Sequence, residues 1–166
     1  MTNKTDTSGL APRRAAHHLL QQITGEGRLM SELIGGGALE RLDPADRARA
    51  QRMATDALRG LDRADRLLKP YLKKNPPEFV RNALRLGAME IGNGEAAHGV
   101  VNAYVEIVGR NKRTSQLKGL TNAVLRKVTP ESWAKAPVSV MPGWLRQPLV
   151  AAWGRKAMAG IEKAHL

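Results

Sequence analysis

Pro76-Pro77-Glu78-Phe79-Val80-Arg81-Asn82-Ala83-Leu84-Arg85-Leu86-Gly87-Ala88-Met89-Glu90-Ile91-Gly92 shows a helical period at its plainest. The proline pair suits a helix opening, because proline lacks an N–H that a first turn leaves unused anyway. Val80, Leu84, Gly87 and Ile91 then share one face at the spacing set by 3.6 residues per turn. Gly92 with Gly94 supplies the stop.

The same period runs through both flanks. On the N-terminal side, Pro12 sits in the first turn of a helix whose Ala16, Leu19, Leu20 and Ile23 form a stripe, with Gly25 as its end. A short apolar piece around Leu29, Met30, Leu33 and Ile34 runs into Gly35-Gly36-Gly37, which reads as a flexible break. Asp43 followed by Pro44 is an N-cap signal. It opens a helix carrying Ala50, Met53, Ala54, Ala57, Leu58 and Leu61, expected to bend or break near Gly60 and to continue through Leu68 toward Pro70.

On the C-terminal side, residues 96–110 are rich in valine, as strands are, yet Asn102, Glu106, Arg110 and Arg113 recur at helical spacing. The period decides for helix. A loop at 111–113, with Thr114 or Ser115 as cap, leads into a helix marked by Leu117, Leu120, Thr121, Val124, Leu125 and Val128 and closed by Pro130. A looser segment with Pro137 and Pro142 precedes a terminal helical region holding Trp144, Leu145, Leu149 and Trp153. The expected fold class is all-α.

Composition agrees. With 166 residues, 42% of them hydrophobic, the chain suffices for one core burying about 70% of its unfolded surface. Only three Trp, two Tyr and one Phe are present, so aliphatic residues and alanine fill that core, which favours closely packed helices. No cysteine occurs, which excludes disulfides, thiolate metal sites and a cysteine nucleophile in this chain. No apolar run approaches the ~18 residues of a membrane span, and residues 1–10 lack the apolar core of a signal peptide. A cytoplasmic protein with a disordered tail at 1–10 is expected.

Catalytic motifs reduce to decoys. Gly92-Asn93-Gly94-Glu95-Ala96-Ala97 matches a relaxed dinucleotide pattern but follows a helix, where the fingerprint needs a strand. His17 and His18 are neighbours on a helix and cannot share a metal, and His98 and His165 have no ligand-spaced partner, so no metal site is expected. Asp56, Asp62 and Asp65 interleave with Arg52, Arg59, Arg63 and Arg66, as on a solvated, ion-paired helix face.

The net charge of +12 calls for a polyanionic partner. Between Glu106 and Glu131 there is no acidic residue, while Arg110, Lys112, Arg113, Lys118, Arg126 and Lys127 all fall in the interval. Lys112 and Arg113 lie beside an expected helix N-terminus, and Lys118, Asn122 and Arg126 extend that helix on its polar side. Arg13 and Arg14 open the first helix, where cations oppose the macrodipole unless an anion offsets them. Phosphate contact by Arg13, Arg14, Lys112, Arg113, Lys118, Arg126 and Lys127 is the resulting expectation.

Leu58-Arg59-Gly60, Ala83 through Ile91, His98 followed by Val105-Glu106, and Leu117 through Lys127 together resemble the NusB-like domain that begins bacterial ribosomal-RNA cytosine-5 methyltransferases of the RsmB (Sun, Fmu) type. The same fold serves as a free-standing antitermination factor, NusB. Asn122-Ala123-Val124-Leu125-Arg126 and the stretch from Pro142-Gly143-Trp144-Leu145 to Trp153-Gly154 are similar to the methyltransferase version. The loop Gly92 to Glu95 is shorter than the family's and lacks its common aromatic and proline residues.

The resemblance implies a compact helical RNA-binding domain at 11–130 and a linker with a helical extension at 131–166, leading toward a methyltransferase domain that this chain lacks. In that family S-adenosylmethionine supplies the methyl group and cysteines act on the cytosine, so no residue here inherits a catalytic role. The implied partners are small-subunit ribosomal RNA and the parent protein's own catalytic domain. A different reading makes the chain a protein-interaction platform with Trp144, Leu145 and Trp153 as its exposed apolar signature. DNA binding has only the charge to recommend it.

Overall fold

The computed structural model describes residues 9–165; of the tail expected at 1–10, residues 1–8 lie outside them, while Leu10 already stands in the first helix. Among the described residues the chain is helical throughout, with no strand. In order the elements are α1 (Leu10–Glu26), α2 (Met30–Gly35), α3 (Pro44–Arg59), α4 (Leu61–Leu68), α5 (Glu78–Gly92), α6 (Ala97–Arg110), α7 (Lys118–Leu125), α8 (Pro130–Lys135) and α9 (Gly143–Ala164). One-turn 3-10 helices at Lys69–Tyr71 and Ser115–Leu117 follow α4 and precede α7.

The stretch quoted first becomes the axis of the bundle. α5 packs against α1, α3, α4, α6, α7 and α8, and every residue from Asn82 to Ile91 is buried. Its apolar stripe is therefore only part of its contact surface. Its polar positions are buried too, and each finds partners. Arg85 bonds Asp65 (2.7 Å), Glu78 (2.8 Å) and Asn82 (2.9 Å), and Asn82 in turn bonds Gln21 and Thr24 on α1. Burial opposes charge on Arg85, but Asp65 and Glu78 outweigh it and raise its pKa. A Cβ on Gly87 would lie 2.8 Å from both δ-carbons of Leu125 and 3.2 Å from the Tyr104 ring, so this glycine sets how closely α5 meets α6 and α7.

Several element ends differ from expectation for local reasons. α1 runs past Gly25 to a left-handed Gly27 (φ 70°), where the amides of Gly27 and Arg28 take up the carbonyls of Ile23 and Gln22. The apolar piece before the triple glycine forms α2 and drops Leu33 into the core. Asp43 caps α3 as expected, accepting from the Asp46 amide at 2.9 Å, and the chain breaks at Gly60. Thr114 does not cap α7; its hydroxyl donates inward to the Val108 carbonyl at 3.0 Å. Pro130 does not close α7, which ends at Leu125, but stands first in α8, where Thr129 is the cap.

The terminal helix bends back on itself. Gly154 (φ 81°, ψ 160°) separates two arms of α9, and Glu162 on the second holds Arg146 on the first at 2.8 Å and the Met141 amide at 2.9 Å. The Arg146 bond lowers the Glu162 pKa, with the Met141 amide adding to it. Met158 is fully buried there, apart from the main core. The tie to the bundle runs through residues 139–140: the Ser139 hydroxyl accepts from the Arg63 amide in the first turn of α4, and the Val140 amide donates to Asp62. No described helix is long and apolar enough to cross a membrane.

Candidate nucleic-acid interface

The two arginines that open α1 part company, since adjacent residues on a helix point about 100° apart. Arg13 turns inward and is buried, with its Nε and Nη2 on the Glu90 carboxylate at 2.7–3.0 Å. Tyr104, fully buried on α6, donates its hydroxyl to the same carboxylate at 2.6 Å. Burial opposes the Arg13 charge, yet the hydrogen bond and charge of Glu90 outweigh it and raise the Arg13 pKa. Desolvation first, and the Glu90 charge second, push the Tyr104 pKa well up, so the phenol remains a donor. Arg13 is thus a corrected expectation: its guanidinium joins α1 to α5 and α6 and is not presented to a ligand.

Arg14 is exposed and lines a cleft of 340 Å³ between α1 and the end of α6. His17, His18 and Gln21 of α1, Phe79 of α5, and Ile107, Arg110, Asn111 and Lys112 complete its lining. Arg14 and Lys112, from the two separate basic clusters of the sequence, therefore face one space. Neither has an ion-pair partner among the described residues, while Arg110 pairs with Glu106 at 2.5 Å. The floor is aromatic in part: the His17 and Phe79 rings meet edge-on, 4.3 Å between centroids. His17 Nε2 lies 2.7 Å from the Phe79 carbonyl, and because a carbonyl only accepts, Nε2 carries the proton. Burial of the ring lowers its pKa against the effect of that bond.

The remaining cations spread around this cleft and beyond it. Lys118 is exposed with its stem across α6 at Gly109, where a Cβ would meet the side chain. Arg113 is exposed in the turn that follows α6, which the Asn111 side chain steadies by accepting from the Arg113 amide at 2.9 Å. Arg126 belongs to a second groove, of 380 Å³, with His98, Val101, Asn102, Asn122 and Val128. Lys127 lies over the Tyr71 ring, 5.2 Å from its centroid.

The sequence reading missed Arg110, His18 and Gln21 as companions of Arg14. Arg14, His18 and Gln21 do recur at helical spacing opposite the apolar stripe, so half of that signal was present. Phe79 and Asn111 had none, since only packing brings them to α1. The arginines of α3 and α4 also divide. Arg59 and Arg66 pair with Asp56 and Asp62 as expected of a solvated face. Asp65 instead serves the buried Arg85, and Arg63 fastens α8 by a 2.6 Å bond to the Trp133 carbonyl with its guanidinium over the Trp133 ring.

The residues from Gly92 to Ala97 form the turn from α5 to α6, and the Trp133 ring occupies the space a Cβ on Gly92 would need. With no strand before it and an indole against its first glycine, this turn does not fit S-adenosylmethionine or a dinucleotide. No three His, Asp or Glu side chains gather as a metal site requires among the described residues.

An all-α bundle around a buried α5, with exposed cations on α1, in the turn after α6 and on α7, defines a class of helical domain. Residues 10–130 match the family model described as the NusB family, and the chain belongs to that family. It is also similar to two curated proteins, each named ribosomal RNA small subunit methyltransferase B. It is 37% identical to that of Thermus thermophilus over 153 residues, covering 89% of this chain and 37% of the relative. It is 30% identical to that of Xanthomonas campestris pv. campestris over 172 residues, covering all of this chain and 39% of the relative. The chain thus spans less than two fifths of either relative's length.

Proposed function

We propose that this chain is an RNA-binding module that engages small-subunit ribosomal RNA for a cytosine-5 methyltransferase whose catalytic, S-adenosylmethionine-dependent part lies outside it. One observation carries the reading: Arg14 and Lys112, 98 positions apart in sequence, converge with Arg110 on one cleft while Arg13 and Arg85 are neutralised inside. Exposed cations also stand on other parts of the surface, Arg52, Lys73 and Lys74 among them, but at α1 and the turn after α6 Arg14 and Lys112 share one cleft, with Lys118 beside it. Arg14, Lys112, Arg113, Lys118, Arg126 and Lys127 contact phosphates. The relatives' names, which specify small-subunit ribosomal RNA, support the choice of RNA over other polyanions.

Binding of a structured small-subunit ribosomal RNA fragment across a salt series tests this. Each phosphate contact contributes about 0.7–0.9 to the slope of log affinity against log salt. Lys112→Glu and Arg126→Glu are each expected to lower the slope by about one contact's worth. Affinity at low salt no better than that of an uncharged control protein refutes the proposal.

A second surface favours a protein partner. Trp144 and Trp153 are 77% and 70% exposed on the α9 hairpin, an unusual placement for the largest apolar side chains. This face packs against the further part of a longer protein of the relatives' kind. Joining that part to the chain is expected to blue-shift the emission of Trp144 and Trp153, with Trp133 replaced by Phe to isolate them. Unchanged emission counts against it.

A further inference from the structure

We infer that the cleft between α1 and the end of α6 receives one unpaired nucleobase of the bound RNA, with the adjoining phosphates against Arg14, Arg110 and Lys112. The inference rests on the RNA-binding reading above and adds a site to it. Phosphate contact alone needs only cations within reach of the backbone, whereas an apolar, partly aromatic floor offers nothing to a phosphate and a stacking surface to a base. Here the cations stand at the rim of a hollow, and its floor is the His17–Phe79 edge-on pair with Ile107 beside it. Phe79 is the only phenylalanine of the chain, and it is left half-buried at this one place.

Size and chemistry favour a single planar ring. At 340 Å³ the cleft stands at the small end of the ~300–1,000 Å³ range of ligand clefts, enough for one base and too little for a run of them. The floor offers stacking, which tolerates any base. His17 is buried and tied by its Nε2 to the Phe79 carbonyl, so it braces that part of the floor. Gln21 and Asn111 contribute amides to the walls. Of the three cations that line it, only Arg110 has a carboxylate partner among the described residues, Glu106, which leaves Arg14 and Lys112 for phosphate oxygens beside an inserted base. Paired bases in an A-form helix cannot reach such a floor, because their edges lie within the grooves; a base turned out of a loop or bulge can.

The test uses the whole chain and short single-stranded RNA oligonucleotides of one sequence, each lacking the base at one position in turn, beside the intact strand and its fully paired duplex. Loss of one stacked base is expected to weaken binding by about five- to a hundredfold at one position and little at the others. The duplex is expected to bind more weakly than the single strand. Phe79→Leu, with folding verified by circular dichroism, is expected to flatten the positional profile while Lys112→Glu lowers affinity at all positions alike. A flat profile with the native protein, or a duplex bound as well as the single strand, overturns the base site and leaves the phosphate surface standing. Absence of binding to every RNA overturns both readings. If Phe79→Leu does not fold, the base-deletion series on the native protein still decides.

Discussion

Replacing Arg13 by Met separates a structural from a ligand-binding role for the first helix. The substitution keeps most of the apolar stem that packs at the start of α1 and removes only the guanidinium. Glu90, with a side chain 4% exposed, then keeps one donor, the Tyr104 hydroxyl at 2.6 Å, where it had three. Stranding one member of a buried ion pair costs about 3–5 kcal/mol, mostly as the penalty of an unpaired buried charge. For a chain of this size each kcal/mol corresponds to about 2–4 °C, so Tm is expected to fall by about 6–20 °C.

Urea unfolding followed by far-ultraviolet circular dichroism measures the loss directly. Replacing the whole network, with Arg13→Met, Glu90→Leu and Tyr104→Phe together, is expected to recover most of the stability, since an apolar set of similar volume leaves nothing unpaired. RNA affinity of the folded single variant is expected to stay within about twofold of the native chain. A loss below about 1 kcal/mol, joined to a tenfold or greater drop in RNA affinity, would refute the inward assignment of Arg13.

Two further perturbations probe the packing. Gly92→Ala places a methyl group in the Trp133 ring, so despite alanine's better helix propensity it is expected to cost about 1–3 kcal/mol and to change Trp133 emission; a gain in stability would count against that close approach. His17 has its pKa held below 6.5 by burial, so the folded state takes up its proton later than the unfolded chain does as pH falls. Its contribution is intact above about pH 6.5 and is lost below it at up to about 1.4 kcal/mol per pH unit. His17→Gln, which keeps an N–H for the Phe79 carbonyl, is expected to flatten that part of the stability profile, and an unchanged profile would assign the slope elsewhere.

Much of the architecture could be read from residue spacing because helices are local. The α5 stripe, the Asp43 cap, the break at Gly60 and the helical reading of the valine-rich α6 all follow from contacts within a few residues. The reading failed where a residue's local preference met a distant demand. Thr114 has the chemistry of a cap but spends its hydroxyl on the Val108 carbonyl. Gly92 resembles a helix stop and is also the seat of Trp133. Asp65 and Arg63 look like members of a surface ladder, yet one balances a buried arginine and the other holds α8. Within the candidate interface, the cations of the acid-free interval were legible as a run of unbalanced charge, whereas the sorting of Arg13 from Arg14 was not.

The sequence by itself determined an all-helical chain, a strong positive charge and its enrichment near residues 13–14 and 110–127, because period and composition are properties of the chain alone. Only the tertiary structure decided which of those charges face outward. Burying α5 on all sides forces every charged group on it to find a partner, and Glu90 takes Arg13 for that purpose. The same packing brings α1 against α6, so that Arg14 and Lys112 meet over Phe79, a juxtaposition of residues far apart in sequence that no local pattern encodes.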